Sequence, residues 1–406
     1  MRKKIIFISV LAFVFFASVS LAVSFDRKKR DDLYKQVEFF SDVLTIVDAE
    51  YVDEIKPKDM VYGALRGALS SLDPHSQFMD PDTYDELKVD TEGRFGGLGV
   101  EISIKDGLIT VITPLEDTPA WKAGIKPGDK IIKINSELTR GMDLTAAMKK
   151  LRGKPGEMVN LTVMRGPDKE LLEFKIIRAA IKINDIKTAE ILEGGIGYIK
   201  VVEFRETTSK DFDNVFEKIS KTGIKSLILD LRNNPGGLLE SALDVTGKFL
   251  PKGKLIVFTK GRKENQNLIF NSNSEHPILN LPLAVLINEG SASGSEIVAA
   301  ALQEYKRATI LGVKSFGKGS VQTVIPLSDG SALRLTTSKY FTPSGKEIHG
   351  KGVIPDIIVE MQTSKEEQEI IEESGSDEKP DTNEKIRDYN SDPVIMSAVN
   401  LLKTQQ

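Results

Sequence analysis

The sequence contains no cysteine and only three histidines in 406 residues. The absence of cysteine excludes disulfides, thiolate zinc sites, iron–sulfur clusters, a cysteine nucleophile and a lipid anchor through cysteine. Three histidines leave little material for a histidine-rich metal centre. A basic excess is also missing: 55 Lys+Arg stand against 59 Asp+Glu, a net charge of -4, so nothing favours a nucleic-acid partner. Nor is the composition that of a disordered chain, with 40% hydrophobic and 28% charged residues. The length suits two or three domains. Enzymatic chemistry, if present, falls to Ser, Lys, Asp or Glu.

At the N-terminus, Arg2, Lys3 and Lys4 precede an uncharged run from Ile5 to Ser24. A basic stretch followed by an apolar one is the pattern of an export signal. The run is also just long enough to span a bilayer. Ser20-Leu21-Ala22 offers a small-x-small cleavage site, while the second basic cluster, Arg27 to Arg30, leaves orientation undecided by charge. The expectation is an exported protein, periplasmic or extracytoplasmic, with cleaved signal and inner-membrane tether by residues 5–24 both open.

Residues from about Asp31 to Leu87 read as helical, because Val37, Phe40, Val43, Leu44 and Val47 recur at helical spacing and Met60 to Leu72 continues the pattern. Leu72-Asp73-Pro74-His75-Ser76 reads as a helix stop and turn. From Val89 to Arg178 the chain turns to short β-rich runs, with a hairpin expected at Lys105-Asp106-Gly107 and short helices at Ala120–Ile125 and Leu144–Arg152. From Ile183 to Glu360 strands alternate with helices: strands at Ile196–Val202, Ser226–Leu231, Leu283–Asn288 and Thr309–Leu311, and helices at Asp211–Lys221 and Ser295–Tyr305. An acidic, polar stretch from Lys365 to Tyr389 reads as a solvated linker before a short helix, Pro393 to Lys403.

Four segments carry candidate chemistry. In Phe95-Gly96-Gly97-Leu98-Gly99-Val100, close glycines allow backbone N–H groups to converge on an anion, although a turn without ligand explains them equally. In Glu289-Gly290-Ser291-Ala292-Ser293-Gly294-Ser295, tiny residues surround a serine between an apolar strand and a helix, as in a nucleophile elbow. Ser293-Gly294-Ser295-Glu296 is also a capping box, so a helix-capping serine stands beside the catalytic one. The base for such a serine is a histidine or a lysine made neutral by burial. His276 and His349 sit in polar turns and read as surface residues, and His75 reads as structural. Lys318 lies between glycines in Ser315-Phe316-Gly317-Lys318-Gly319. Gly312 to Lys318 nearly matches a phosphate-binding loop, but Gly319 replaces the required hydroxyl residue and Val321 to Pro326 reads as strand, which excludes nucleotide binding. Arg232-Asn233-Asn234-Pro235-Gly236-Gly237 follows an apolar strand and exposes backbone N–H groups, or is simply a loop.

The segment Thr118 to Ile131, with Gly124-Ile125-Lys126-Pro127-Gly128-Asp129, resembles a PDZ domain. That likeness implies capture of an extended peptide by its free C-terminus, with Gly97, Leu98, Gly99 and Val100 as the binding loop and Leu144–Arg152 as the second wall of the groove. The set of Leu72–Ser76, Asp230–Gly237, Gly290–Glu296, Ser315–Gln322, Tyr340–Gly345 and Gly352–Asp356, in this order, resembles the carboxyl-terminal processing (tail-specific) proteases, serine peptidases with a Ser/Lys dyad. The resemblance implies Ser293 as nucleophile, Lys318 as general base, Gln322 as the lysine-positioning amide, and an oxyanion hole from the N–H groups of Gly236 (or Gly237) and Gly294. The family often has Ala after the nucleophile; Gly294 supplies the same N–H.

The implied fold is multi-domain α+β: a helical N-terminal region (31–88), a β-rich PDZ domain with two helices (89–180) and a mixed α/β catalytic core similar to the ClpP/crotonase-like fold (181–361). An acidic linker (362–390) and a last helix (391–406) follow. The implied function is an endopeptidase that cleaves C-terminal tails of exported proteins, with no metal and no cofactor. Its partners are polypeptides bound through their C-termini; a homo-dimer or an activating partner protein is left open. An inactive PDZ adaptor and a non-proteolytic serine hydrolase are the alternatives.

Overall fold

The computed structural model describes residues 31–360 and 389–406, apart from Asp106, Glu116 and Pro167. The export signal or anchor at residues 5–24, the basic cluster Arg27–Arg30 and the acidic linker up to residue 388 lie outside the described residues. Among the described residues no helix is long and apolar enough to cross a membrane. The chain divides into two compact units, Met1–Asp80 and Pro81–Gln406.

In the first unit, α1 covers residues 31–50 and α2 covers Pro57–Ser70, followed by the short strand β1, Gln77–Met79. α1 has the expected helical spacing, yet its apolar residues stand in solvent: Val37 is 54% and Phe40 41% exposed. α2 starts at Pro57, whose missing N–H costs nothing in the first turn. The stop and turn expected at Leu72–Ser76 are present, and the correction to the helical reading up to Leu87 is the short strand that follows them. The Asp73 carboxylate accepts from the N–H of His75 and from the N–H and Oγ of Ser76, each at 2.8 Å, which stops the helix and sends the chain into β1. Tyr62 of α2 packs edge-on against Phe78 at 4.7 Å.

The second unit opens with α3, Pro81–Glu92, and then builds a β-rich lobe. In chain order come β2 (Arg94–Gly97), β3 (Val100–Lys105), β4 (Leu108–Pro114), α4 (Pro119–Lys122), β5 (Lys130–Ile134), β6 (Glu137–Leu138), α5 (Leu144–Leu151), β7 (Met158–Arg165), β8 (Glu170–Ile177) and β9 (Ala179–Lys182). The sheet order is β3-β4-β5-β7-β8, with β6 on β5. β3 and β4 form the expected hairpin, closing at Lys105↔Leu108. α4 stops at Lys122 rather than Ile125, because Gly124 at φ 83° takes the left-handed conformation that ends a helix and donates to the Trp121 carbonyl. α5 is capped by Asp143, which accepts from Ala146 N. Leu98, Ile131, Val159, Val163, Ala147 and Leu151 fill the lobe's core. β2 pairs antiparallel with β9, so both ends of the lobe leave it side by side.

The rest of the unit is a second core. Its elements are β10 (Ile186–Leu192), β11 (Ile196–Val201), α6 (Thr208–Ser220), β12 (Ser226–Asp230), α7 (Leu239–Gly247), β13 (Leu255–Gly261), β14 (Ile269–Asn271), β15 (Leu283–Ile287), α8 (Gly294–Glu304), β16 (Thr309–Gly312), β17 (Ser320–Pro326), β18 (Ala332–Phe341), β19 (Ile357–Ile358) and α9 (Pro393–Thr404). The central sheet runs β10-β11-β12-β15-β16-β19; β10 is antiparallel to β11 and the other pairs are parallel. β11, β12 and β15 are buried throughout, as their largely apolar sequences require of a sheet covered on both faces. Alternate residues divide between the faces. Leu227, Leu229, Val285 and Ile287 pack with residues of α6, α7 and α8, while Ile228, Ala284, Leu286 and Tyr198 pack under α9. β14, β13, β18 and β17 pair in that order beside this sheet.

Candidate active site

Two loops at the carboxyl ends of neighbouring parallel strands meet here. One leaves β12 at residues 231–238, the other joins β15 to α8 at 288–293. Crevices of this kind arise where parallel strands deliver their following loops side by side. Small polar side chains knit the two together. Ser291 Oγ donates to the Leu231 carbonyl at 2.8 Å, and Ser295 Oγ to the Asn234 carbonyl at 3.0 Å. Asn288 Oδ1 accepts from Asn233 N at 2.8 Å, and its amide donates to Asn233 Oδ1 at 2.8 Å. Ala292 N donates to the Asn234 carbonyl at 3.0 Å.

Ser293 sits at φ 52°, ψ −111°, a conformation that costs a non-glycine residue about 1–3 kcal/mol. Ser293 and Glu296 form the expected capping box at the α8 N-terminus, in which Glu296 Oε2 accepts from Ser293 N at 2.9 Å. The serine is therefore half-buried and strained. Gly236 lies against it: a Cβ there would stand 2.7 Å from Ser293 Cβ and 2.9 Å from Gly294 N, so only glycine allows the approach. The Gly236 N–H donates to Asn234 Oδ1 at 2.9 Å. The N–H groups of Gly237 and Gly294 have no acceptor among the described residues, and Gly294 opens α8, where the helix dipole adds positive potential.

Glu296 is the residue whose larger role the sequence concealed. It is fully buried. Besides Ser293 N it accepts from Ser315 Oγ at 2.5 Å, Gly317 N at 2.7 Å and Lys318 N at 2.8 Å. One carboxylate thus fixes the backbone of Ser293 and Lys318, which are 25 positions apart in the chain. Only half of this was legible, as the acid of the capping box.

The lysine loop spans residues 313–319. Gly319 is needed for close approach rather than for unusual dihedrals: a Cβ would meet His349 N at 2.2 Å. The 345–353 turn closes over the loop through Gly350 N to the Gly317 carbonyl (2.9 Å) and Val353 N to Ser315 Oγ (2.6 Å). Burial lowers the Lys318 pKa from its ordinary value; the Arg334 charge lowers it further, and Glu296 opposes both. Gln322 donates to Ser320 Oγ at 2.9 Å, on the strand that follows the lysine. His276 and His349 are exposed.

Gly97, Leu98, Gly99 and Val100 link β2 to β3, apart from this crevice. With Phe95, Ile102, Met148, Leu151 and Arg152 they line a cavity of about 70 Å³ beside α5. The Gly99 carbonyl is held by Leu115 N (2.9 Å) and Thr118 Oγ1 (3.0 Å), and the Leu98 carbonyl by Ala120 N (2.8 Å). The Arg152 guanidinium lies over the Phe95 ring at 4.9 Å.

Comparison with known proteins adds the following. Residues 195–359 match peptidase family S41, residues 110–165 a PDZ domain, and residues 17–83 the activating protease CtpB N-terminal domain. A carboxy-terminal-processing protease of Bartonella bacilliformis is 44% identical over 366 residues, covering 89% of this chain and 83% of that protein. Carboxy-terminal processing protease CtpB of Bacillus subtilis is 36% identical over 319 residues, 78% of this chain and 66% of that one. Among solved structures, a photosystem II D1 C-terminal processing protease aligns at 30% identity over 79% of this chain and 92% of its own, with a TM-score of 0.45.

Proposed function

The chain belongs to the carboxy-terminal processing proteases, a family of serine-type peptidases, and on that premise we propose that it cleaves C-terminal tails of exported polypeptides with a Ser293–Lys318 dyad. The observation that carries the dyad is the Glu296 carboxylate, which ties Ser293 and Lys318 to a single anchor. A strained serine beside a lysine loop whose amine is biased toward neutrality has the composition of an activated nucleophile.

In this reading neutral Lys318 takes the Ser293 proton and Oγ attacks a peptide carbonyl. The tetrahedral oxyanion meets the Gly294 N–H together with that of Gly236 or Gly237. The Gly236 N–H must exchange Asn234 Oδ1 for the oxyanion, whereas that of Gly237 needs no such exchange. Lys318 returns the proton to the leaving amine, leaving an acyl-enzyme that lysine-activated water hydrolyses. Gln322 steadies the lysine from β17, acting beside Ser320. Gly97–Val100 hold the tail's carboxylate and the tail lies as an added strand between β3 and α5. The division into a helical region (31–88), a PDZ domain (89–180) and a catalytic core (181–361) is part of the same proposal, as is an extracytoplasmic location.

The test uses Ser293→Ala and Lys318→Ala in the full chain with a quenched fluorescent tail peptide. Each is expected to lower kcat by about 10⁴-fold or more while circular dichroism stays unchanged. A fluorophosphonate probe is expected to label the wild type and not Ser293→Ala. Wild-type cleavage by either folded variant would overturn the dyad, and labelling without cleavage of any peptide would favour a non-proteolytic hydrolase.

A further inference from the structure

α9 lies against the face of the central sheet opposite α6–α8. Val394, Ile395, Ala398, Val399 and Leu402 are buried there against Ile196, Tyr198, Ile228, Ala284, Leu286 and Leu311. Strand alternation places Asp230 on this same face, two residues beyond Ile228. Asp230 is fully buried and accepts from Tyr198 OH at 2.6 Å. Arg232 grips it with Nε at 3.0 Å and Nη2 at 2.7 Å. The guanidinium's remaining terminal nitrogen, Nη1, reaches Asp392, the N-cap of α9, at 2.9 and 3.1 Å. Asp392 simultaneously accepts from the N–H groups of Val394 and Ile395 at 3.0 Å. Burial works against the Asp230 charge, but Arg232, Lys200 and the Tyr198 hydroxyl outweigh it and hold the pKa below the ordinary value.

The position of this chain of contacts gives it a consequence. Arg232 is the residue immediately before Asn233–Gly237, the loop that packs Gly236 on Ser293 and presents the backbone N–H groups assigned to the oxyanion. Nothing else in a parallel-sheet core requires an arginine fork at a strand's exit to be closed from outside the sheet by a helix 160 positions away in the chain.

We propose that α9 is a positioning element of the active site: through Asp392 it fixes Arg232, and through Arg232 the register of the oxyanion loop on the nucleophile. The proposal rests on the oxyanion reading above. It makes the helix more than a cover for an apolar sheet face.

Asp392→Asn separates this role from stability, because asparagine caps a helix as well as aspartate but loses the charge that Arg232 pairs with. The full-length variant is compared with wild type for kcat and KM on a tail peptide, and for inhibition by a peptide aldehyde, whose hemiacetal oxygen occupies the oxyanion position. The expected result is a fall in kcat of about tenfold, smaller than the 10²–10³-fold of deleting an oxyanion donor. KM is expected to change less than twofold, and the aldehyde's inhibition constant to rise by the same factor as kcat falls. Val399→Ala, which loosens α9 but keeps Asp392, is expected to lower the melting temperature and to lower kcat less than Asp392→Asn does. Wild-type kcat in Asp392→Asn, a loss appearing in KM alone, or an equal kcat loss in Val399→Ala would each overturn the positioning role. A wild-type enzyme that turns over peptide but ignores the aldehyde would overturn the oxyanion reading itself.

Discussion

The candidate catalytic crevice and the groove proposed to hold the tail are built from opposite materials. The crevice is a seam of polar groups: Ser291, Ser295, Asn233, Asn234, Asn288 and Glu296 spend hydrogen bonds on fastening neighbouring segments to one another. The groove is walled by Phe95, Leu98, Val100, Ile102, Met148 and Leu151, with glycine turns at its end. Directional bonds in a low-dielectric seam fix positions to tenths of an ångström and leave the few uncommitted groups aimed at substrate. Apolar walls are non-directional and accept varied side chains at similar cost. A peptidase that selects by tail and cuts by geometry needs the first kind of surface at the scissile bond and the second where it holds the tail.

That contrast can be broken at its strongest point with Glu296→Gln. The amide replaces one acceptor oxygen with an N–H₂ that faces backbone donors, so two of four charge-assisted bonds are lost. At about 1.5–3 kcal/mol each, the misplacement is expected to lower kcat by about 10²-fold or more and to lower the melting temperature. Unchanged kinetics would mean that the seam is ordinary packing. The groove responds differently. Val100→Asp is expected to raise KM for a tail peptide about tenfold at unchanged kcat, the scale of one apolar contact. Amidating the tail of the peptide is expected to act in the same direction, and equal KM for acid and amide would remove the carboxylate loop from the account. The smallest effect belongs to Arg334→Gln. Arg334 lowers the Lys318 pKa, so removing its charge lets that pKa rise. The rising limb of kcat/KM against pH then moves to higher pH, and a stationary limb would show that Lys318 is not the titrating base.

The local elements were mostly legible from residue order. The β3–β4 hairpin, α5, the parallel strands β11, β12 and β15, and α8 fall where periodicity and turn residues put them. The stop at Leu72–Ser76 was legible, whereas the end of α4 was lost because a single dihedral, at Gly124, decides it. Burial was lost on α1, whose helical repeat of apolar residues stands in solvent; periodicity specifies a face but not what covers it. At the candidate site, Ser293 and Lys318 could be found by motif resemblance. The functions of Asn234, Asn288 and Ser295 could not, because a polar residue that holds a neighbouring loop has no pattern of its own in the sequence.

What the sequence determined by itself is therefore the set of parts: strand or helix, a glycine at each tight approach, a serine and a lysine with suitable neighbours, and a family resemblance that spans them. The tertiary structure alone decided how they act together. Glu296 becomes a bridge between Ser293 and Lys318 only because the sheet brings the loop after β16 to the start of α8. Asp230 and Arg232 become a link to α9 only because strand alternation turns that carboxylate toward the helix-covered face. A buried charge is tolerable only where several donors converge on it. Such convergence is a property of positions in space, which residue order does not state.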